Sequence, residues 1–134
     1  MELPPELKSE ITSRFEEAKR SNPGRLSKDR SAVHICGSIG FDGYISPDGD
    51  IFMEIYEVLS DEPSVIDRSR DAQVACLILG SETLPALAQL LPDRPSDAIT
   101  CDTCKGAGWL HQQALGPRGL LCHNCSGLGW VALS

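Results

Sequence analysis

The chain has 134 residues, 41% of them hydrophobic but only 5% aromatic, and a formal net charge of −7. A core of this composition has to be mainly aliphatic, and the length suits one domain or a small domain with an appendage. The acidic balance argues against a nucleic-acid partner, because a backbone binder needs a basic stripe to displace counterions. No apolar run approaches the ~20 residues that span a bilayer, so a membrane is not expected either. Met1-Glu2-Leu3-Pro4-Pro5-Glu6 is neither basic nor apolar, which gives the expectation of a cytoplasmic protein.

Residues 4–20 read as an amphipathic helix. Leu7, Ile11, Phe15 and Ala18 recur at helical spacing and make one apolar face. Pro4 and Pro5 suit a first turn, and Asn22-Pro23-Gly24 suits an end. Glu10–Arg14 and Glu16–Arg20 are i,i+4 pairs, worth only ~0.2–0.5 kcal/mol each. The apolar face serves either the domain's own core or a partner. Residues 21–31 are polar and partly basic, and read as a loop. Ala32–Gly40 is apolar and β-branched, so a short strand is expected there, with His34 as a packed or surface residue rather than a ligand.

Phe41–Val58 reads as a hairpin. Ser46-Pro47-Asp48-Gly49 is its turn, with proline presetting φ and glycine taking the left-handed position. Between Asp42 and Asp67 there are eight acids and no base: Asp42, Asp48, Asp50, Glu54, Glu57, Asp61, Glu62 and Asp67. The stretch fits a solvated acidic face, a surface for a basic protein, or a calcium site, although Asp48, Asp50 and Glu54 lack the EF-hand spacing.

Ser69–Leu79 starts charged and turns apolar throughout, which means burial. Helix and strand both fit; Ser69 as a cap and Gly80 as a terminator favour helix. Thr83–Leu91 reads as a second short helix, with Leu84, Leu87, Ala88 and Leu91 on one face and Pro92 stopping it. Pro92–Asp97 is then a stiff linker. The expectation is an α+β protein: residues 1–95 form a small domain of helices and a β-hairpin or short sheet, and residues 96–134 form a separate unit.

That last unit says one thing twice. Cys101-Asp102-Thr103-Cys104-Lys105-Gly106-Ala107-Gly108-Trp109 and Cys122-His123-Asn124-Cys125-Ser126-Gly127-Leu128-Gly129-Trp130 share the skeleton C-x-x-C-x-G-x-G-W. Two residues between cysteines let one turn aim both sulfurs at a point, and two turns supply the four thiolates of tetrahedral zinc. Seventeen residues separate Cys104 from Cys122, within the range of such sites. The glycines allow positive φ and bring backbone N–H groups to the sulfurs. One Zn²⁺ on Cys101, Cys104, Cys122 and Cys125 is the favoured reading. Thiol–disulfide exchange by the C-x-x-C pairs and a disulfide framework are the rivals. Cys36 and Cys76, left over, sit among apolar neighbours as small core residues.

The two repeats resemble the cysteine-rich zinc finger of DnaJ-type chaperones, over about 30 of the 134 residues. The family finger carries four repeats and two zincs; this chain has two repeats, enough for one. By that resemblance the four cysteines are the ligands, and the finger holds or contacts polypeptides. The chain has no His-Pro-Asp, so the J-domain's stimulation of a partner ATPase is not implied.

Gly116-Pro117-Arg118-Gly119 reads as a turn between two short strands that join the knuckles. An offset of 21 residues superposes the repeats, pairing Trp109 with Trp130 and Leu110 with Val131. The tryptophans either pack inward or form an apolar platform for a polypeptide. His111 and His123 are spare ligands beside four cysteines. No nucleophile elbow, phosphate loop or H-E-x-x-H is present, so no catalytic residue is assigned. The expected function is a non-enzymatic, zinc-stabilised protein-interaction module, chaperone-like or adaptor. Its alternatives are a thiol–disulfide oxidoreductase-like protein, and zinc as a staple with the function residing in the N-terminal domain.

Overall fold

The computed structural model describes residues 2–38, 40–57, 62–110 and 120–132. The architecture is α+β, in two compact units, Met1–Leu90 and Leu91–Ser134.

In the first unit, helix α1 spans Pro5–Ser21 and buries Leu7, Ile11 and Ala18. Phe15, the remaining member of the stripe, is half-buried and carries Lys19 over its ring. Proline opens the helix, where its missing N–H is no loss. Lys19 and Arg20 lie in the last turn, where they complement the C-terminal end of the dipole. Arg14 pairs with Glu10 at 3.4 Å. Glu16 does not take Arg20 as its ionic partner; Lys19 reaches it at 3.7 Å, and Arg20 Nε donates to the Glu16 carbonyl instead.

A four-stranded antiparallel sheet follows in meander order: β1 Val33–Ser38, β2 Phe41–Ile45, β3 Ile51–Tyr56 and β4 Pro63–Asp67. The expected strand and hairpin are both present. The Ser46 N–H donates to the Asp50 carbonyl, the Gly49 N–H donates to the Ser46 carbonyl, and Gly49 takes φ 90°. β4 was not foreseen. It is a largely exposed strand, with Val65 at 52% and Ile66 at 42% accessibility.

The two faces of the sheet have different jobs. One packs under helix α2, Arg70–Gly80. The Ser69 hydroxyl accepts the Ala72 N–H at 3.2 Å, so the helix begins where its cap stands. Gly43 lies beneath it, and a Cβ there would meet Cys36 Sγ at 2.5 Å and Cys76 Sγ at 2.7 Å. Both cysteines are thus buried core residues, as expected. The next segment, read as a helix over 83–91, is a 3₁₀ turn, Pro85–Leu90, burying Leu87. Between Pro85 and Pro92 there is too little chain for a stable α-helix, and the tighter turn takes its place.

The other face carries His34, Asp42, Tyr44, Phe52 and Glu54, which the strand registers set on one side. Tyr44 stacks on Phe52 with centroids 5.8 Å apart, and Ala32 packs against both. Glu54 corrects the reading of a solvated acidic stretch. It is 1% exposed, accepting the Lys28 N–H at 2.8 Å and the Tyr56 hydroxyl at 2.9 Å. The loop after α1 is thereby pinned to the sheet. Other acids of the stretch do face solvent, among them Asp48, Glu57 and Glu62. Asp61 lies outside the described residues.

The second unit is built from four two-residue strands. β5 Ile99–Thr100 pairs with β8 Trp130–Val131, and β6 Trp109–Leu110 pairs with β7 Leu120–Leu121. The turn expected at 116–119 lies outside the described residues. Among the described residues no helix is long and apolar enough to cross a membrane.

Candidate metal centre

Each C-x-x-C is a tight turn followed by a left-handed stretch. Lys105 and Ser126 both take φ 57°, and Gly106, Gly108, Gly127 and Gly129 are all at positive φ. The chain must bend this way to fold its own amides back onto the sulfurs. The N–H of Gly108 donates to Cys104 Sγ at 3.2 Å, and the N–H of Gly129 to Cys125 Sγ at 3.2 Å.

The two knuckles are related by a pseudo-two-fold that follows the 21-residue offset of the sequence. Cys101 N–H donates to the Gly129 carbonyl at 3.0 Å; its mate, Cys122 N–H, donates to the Gly108 carbonyl at 2.9 Å. Thr100 faces Trp130 across β5–β8, as Leu121 faces Trp109 across β7–β6. The Ala107 N–H donates to the Cys104 carbonyl as that of Leu128 does to Cys125, both at 3.1 Å.

This symmetry gathers the four sulfurs. Cys101, Cys104, Cys122 and Cys125 are buried, and their Sγ atoms all lie within 4.8 Å of one another. Cys101 to Cys122 is 3.8 Å and Cys104 to Cys125 is 3.7 Å. A tetrahedron with metal–sulfur bonds of ~2.3 Å has an edge of ~3.8 Å. The sulfurs therefore fit around one ion of that size. The group can hold a metal ion. Leu110 and Val131 pack against the cluster and shield it.

The sulfurs are not electrostatically equal. The Cys104 backbone N–H, then the Asn124 amide, hold the Cys101 thiol down at about 6. Burial pushes Cys125 up to about 12 against the amides of Gly129 and Gly127. Asn124 Nδ2 stands 3.4 Å from Cys101 Sγ and was not singled out in the sequence. Its place between the cysteines of the second turn was the available signal. Bound to a divalent metal, four thiolates leave an excess of negative charge, which these N–H donors offset.

Of the two tryptophans, Trp130 is buried and Trp109 half-buried. His123 is exposed in its turn, apart from the buried sulfurs, and His111 lies outside the described residues. His34 is in the first unit, its Nε2 3.1 Å from Asp42 Oδ1. Compared with protein-family models, with curated proteins and with solved structures, the chain matches none.

Proposed function

We propose that residues 96–134 are a four-cysteine zinc finger of the DnaJ type and that the chain is a non-enzymatic protein-interaction module, chaperone-like or adaptor, working in the cytoplasm. The observation that carries the zinc assignment is the sulfur arrangement: four buried Sγ atoms at tetrahedral spacing, with backbone amides turned toward them. All four positions are filled by protein, so the ion's role is structural. It would hold the two knuckles together, and the N–H donors of Gly108, Gly129 and Asn124 would take up thiolate charge.

Apolar side chains on the strands of the second unit support a contact surface at the finger. Ile99 is 49% exposed on β5, and Trp109 is half-buried on β6. Aromatic and aliphatic groups of this kind are what an unfolded polypeptide engages. Burial of Trp130 favours a second reading, in which zinc is only a staple for a tail with a small core.

The test has two steps. Protein purified under reducing conditions is assayed for metal, and one zinc per chain is expected. A metal-free product that turns over a dithiol substrate would replace this reading with the oxidoreductase one. Zinc-loaded wild type and a Trp109→Ala, Ile99→Ser variant are then tested for capture of a reduced, alkylated, permanently unfolded protein. Capture by the wild type and loss in the variant supports the interaction surface. Zinc at full stoichiometry with no capture leaves the staple.

A further inference from the structure

A polar cavity of about 350 Å³ opens in the first unit, between the loop after α1 and the face of the sheet that α2 does not cover. Its lining includes Lys28, Arg30, Asp42, Tyr44, Glu54 and Tyr56. The floor is a built network. Glu54 accepts from the Lys28 N–H and the Tyr56 hydroxyl, and Tyr44 is buried beside it. Asp42 spends Oδ1 on His34 Nε2 at 3.1 Å, while Oδ2 has no hydrogen bond among the described residues. Gly37 keeps room for that pair, since a Cβ there would meet Asp42 Oδ1 at 2.8 Å and His34 Nε2 at 3.3 Å.

The rim is equally organised. Asp29 Oδ1 accepts from the Ser27 hydroxyl and from both the hydroxyl and the N–H of Ser31. Ser27 Oγ in turn accepts the N–H groups of Ser31 and Ala32. This wiring fixes Arg30 at φ 63°, a conformation that glycine or asparagine would hold with less strain. Lys105 and Ser126 share that conformation in the knuckles; at Arg30 the Ser27–Ser31 turn sets it. Among the described residues its guanidinium has no hydrogen-bonding or ionic partner. An unpaired cation thus stands on a rigid loop at the mouth of a cavity with carboxylates and phenols below.

We infer that this cavity binds a small zwitterion of the free α-amino acid class, its ammonium group received by Asp42 Oδ2 and its carboxylate by Arg30, with buried Glu54 adding negative potential from beneath. Each charge of such a ligand has an oppositely charged side chain in the lining of the cavity. Half-buried Tyr56 adds aromatic surface beside the ammonium. The volume is that of a small-molecule site. The inference concerns the first unit and is independent of the zinc assignment.

The test uses the full chain as purified under reducing conditions, labelled with ¹⁵N and titrated with each common L-α-amino acid at millimolar concentration. Acetate and methylammonium serve as single-charge controls. The expected result is saturable movement of the Lys28, Arg30, Asp42 and Tyr56 amides with at least one amino acid and with neither control. Arg30→Asn, which tolerates the left-handed backbone, should keep the fold and weaken binding about tenfold or more. Asp42→Asn should weaken it without moving the amides of the second unit. The inference fails if no amino acid moves those amides. It fails equally if a single-charge control binds as well as the best amino acid, or if Arg30→Asn binds as tightly as the wild type.

Discussion

A Cβ placed on Gly108 would stand 2.6 Å from the carbonyl oxygen of Gly127. The mirror relationship holds for Gly129 and the carbonyl of Gly106, also at 2.6 Å. Each knuckle therefore touches the other through bare backbone at the two points that flank the sulfurs. Gly108→Ala and Gly129→Ala each combine this clash with a left-handed φ, and each should cost at least ~2 kcal/mol. Gly24→Ala, whose new Cβ meets only Asn22 Oδ1 at 3.6 Å, should stay within ~0.5 kcal/mol. Competition with a chelator, followed by tryptophan fluorescence, measures the difference. A Gly108→Ala protein that holds added metal as well as the wild type would refute the close approach of the two knuckles.

Gly43 makes the corresponding prediction for the first unit. An added methyl would press on both Cys36 Sγ and Cys76 Sγ, and Gly43→Ala should cost ~1–3 kcal/mol by overpacking. Removing both sulfurs as well, in the triple Ala variant, should restore part of the loss. Urea denaturation of the four combinations gives the coupling; strict additivity would mean that the sulfurs are not what Gly43 makes room for.

Glu54 is the buried acceptor for a backbone amide and a phenol at once. Glu54→Ala leaves both donors unsatisfied and should destabilise by ~2–3 kcal/mol. Tyr56→Phe removes one donor together with its bond and should cost ~1 kcal/mol. Equal effects of the two substitutions would show that the Lys28 amide finds another partner.

Asp29 sets a pH dependence. Hydrogen bonds from Ser27 and Ser31 hold its carboxyl below the ordinary 3.8. A carboxylate depressed in the folded state adds stability that is present above its unfolded value and is lost as pH falls through the folded one. Asp29 is exposed, so the contribution is modest. In the wild type, the denaturation midpoint read by helical circular dichroism should fall on acidification below about 4. Asp29→Asn should have a lower midpoint at neutral pH and a shallower acid slope. An unchanged slope would count against the loop network.

The four-cysteine cluster was legible because C-x-x-C geometry is local: one turn fixes two sulfurs, and the repeat fixes the other two. Helix α2 was legible through Ser69, whose hydroxyl accepts the Ala72 N–H. The hairpin turn was legible through Pro47 and Gly49. What escaped was information that is not local. β4 is exposed along most of its length, so burial left no alternating pattern in Pro63–Asp67. Glu54 looked like one more surface acid, because its anchor is a backbone amide 26 positions away. Asn124 reaches a sulfur on the other knuckle, 23 positions off. The 3₁₀ turn at Pro85–Leu90 shares its apolar spacing with the helix expected there.

The division into two units also sorts the fluorophores. Both tyrosines, Tyr44 and Tyr56, belong to the first unit, and both tryptophans, Trp109 and Trp130, to the second. Selective excitation of the indoles then reports the fate of the second unit, while phenol emission in an indole-free variant reports the sheet. Unfolding the chain in urea while following each signal would measure the energetic coupling between the two halves directly, without an extrinsic label on either.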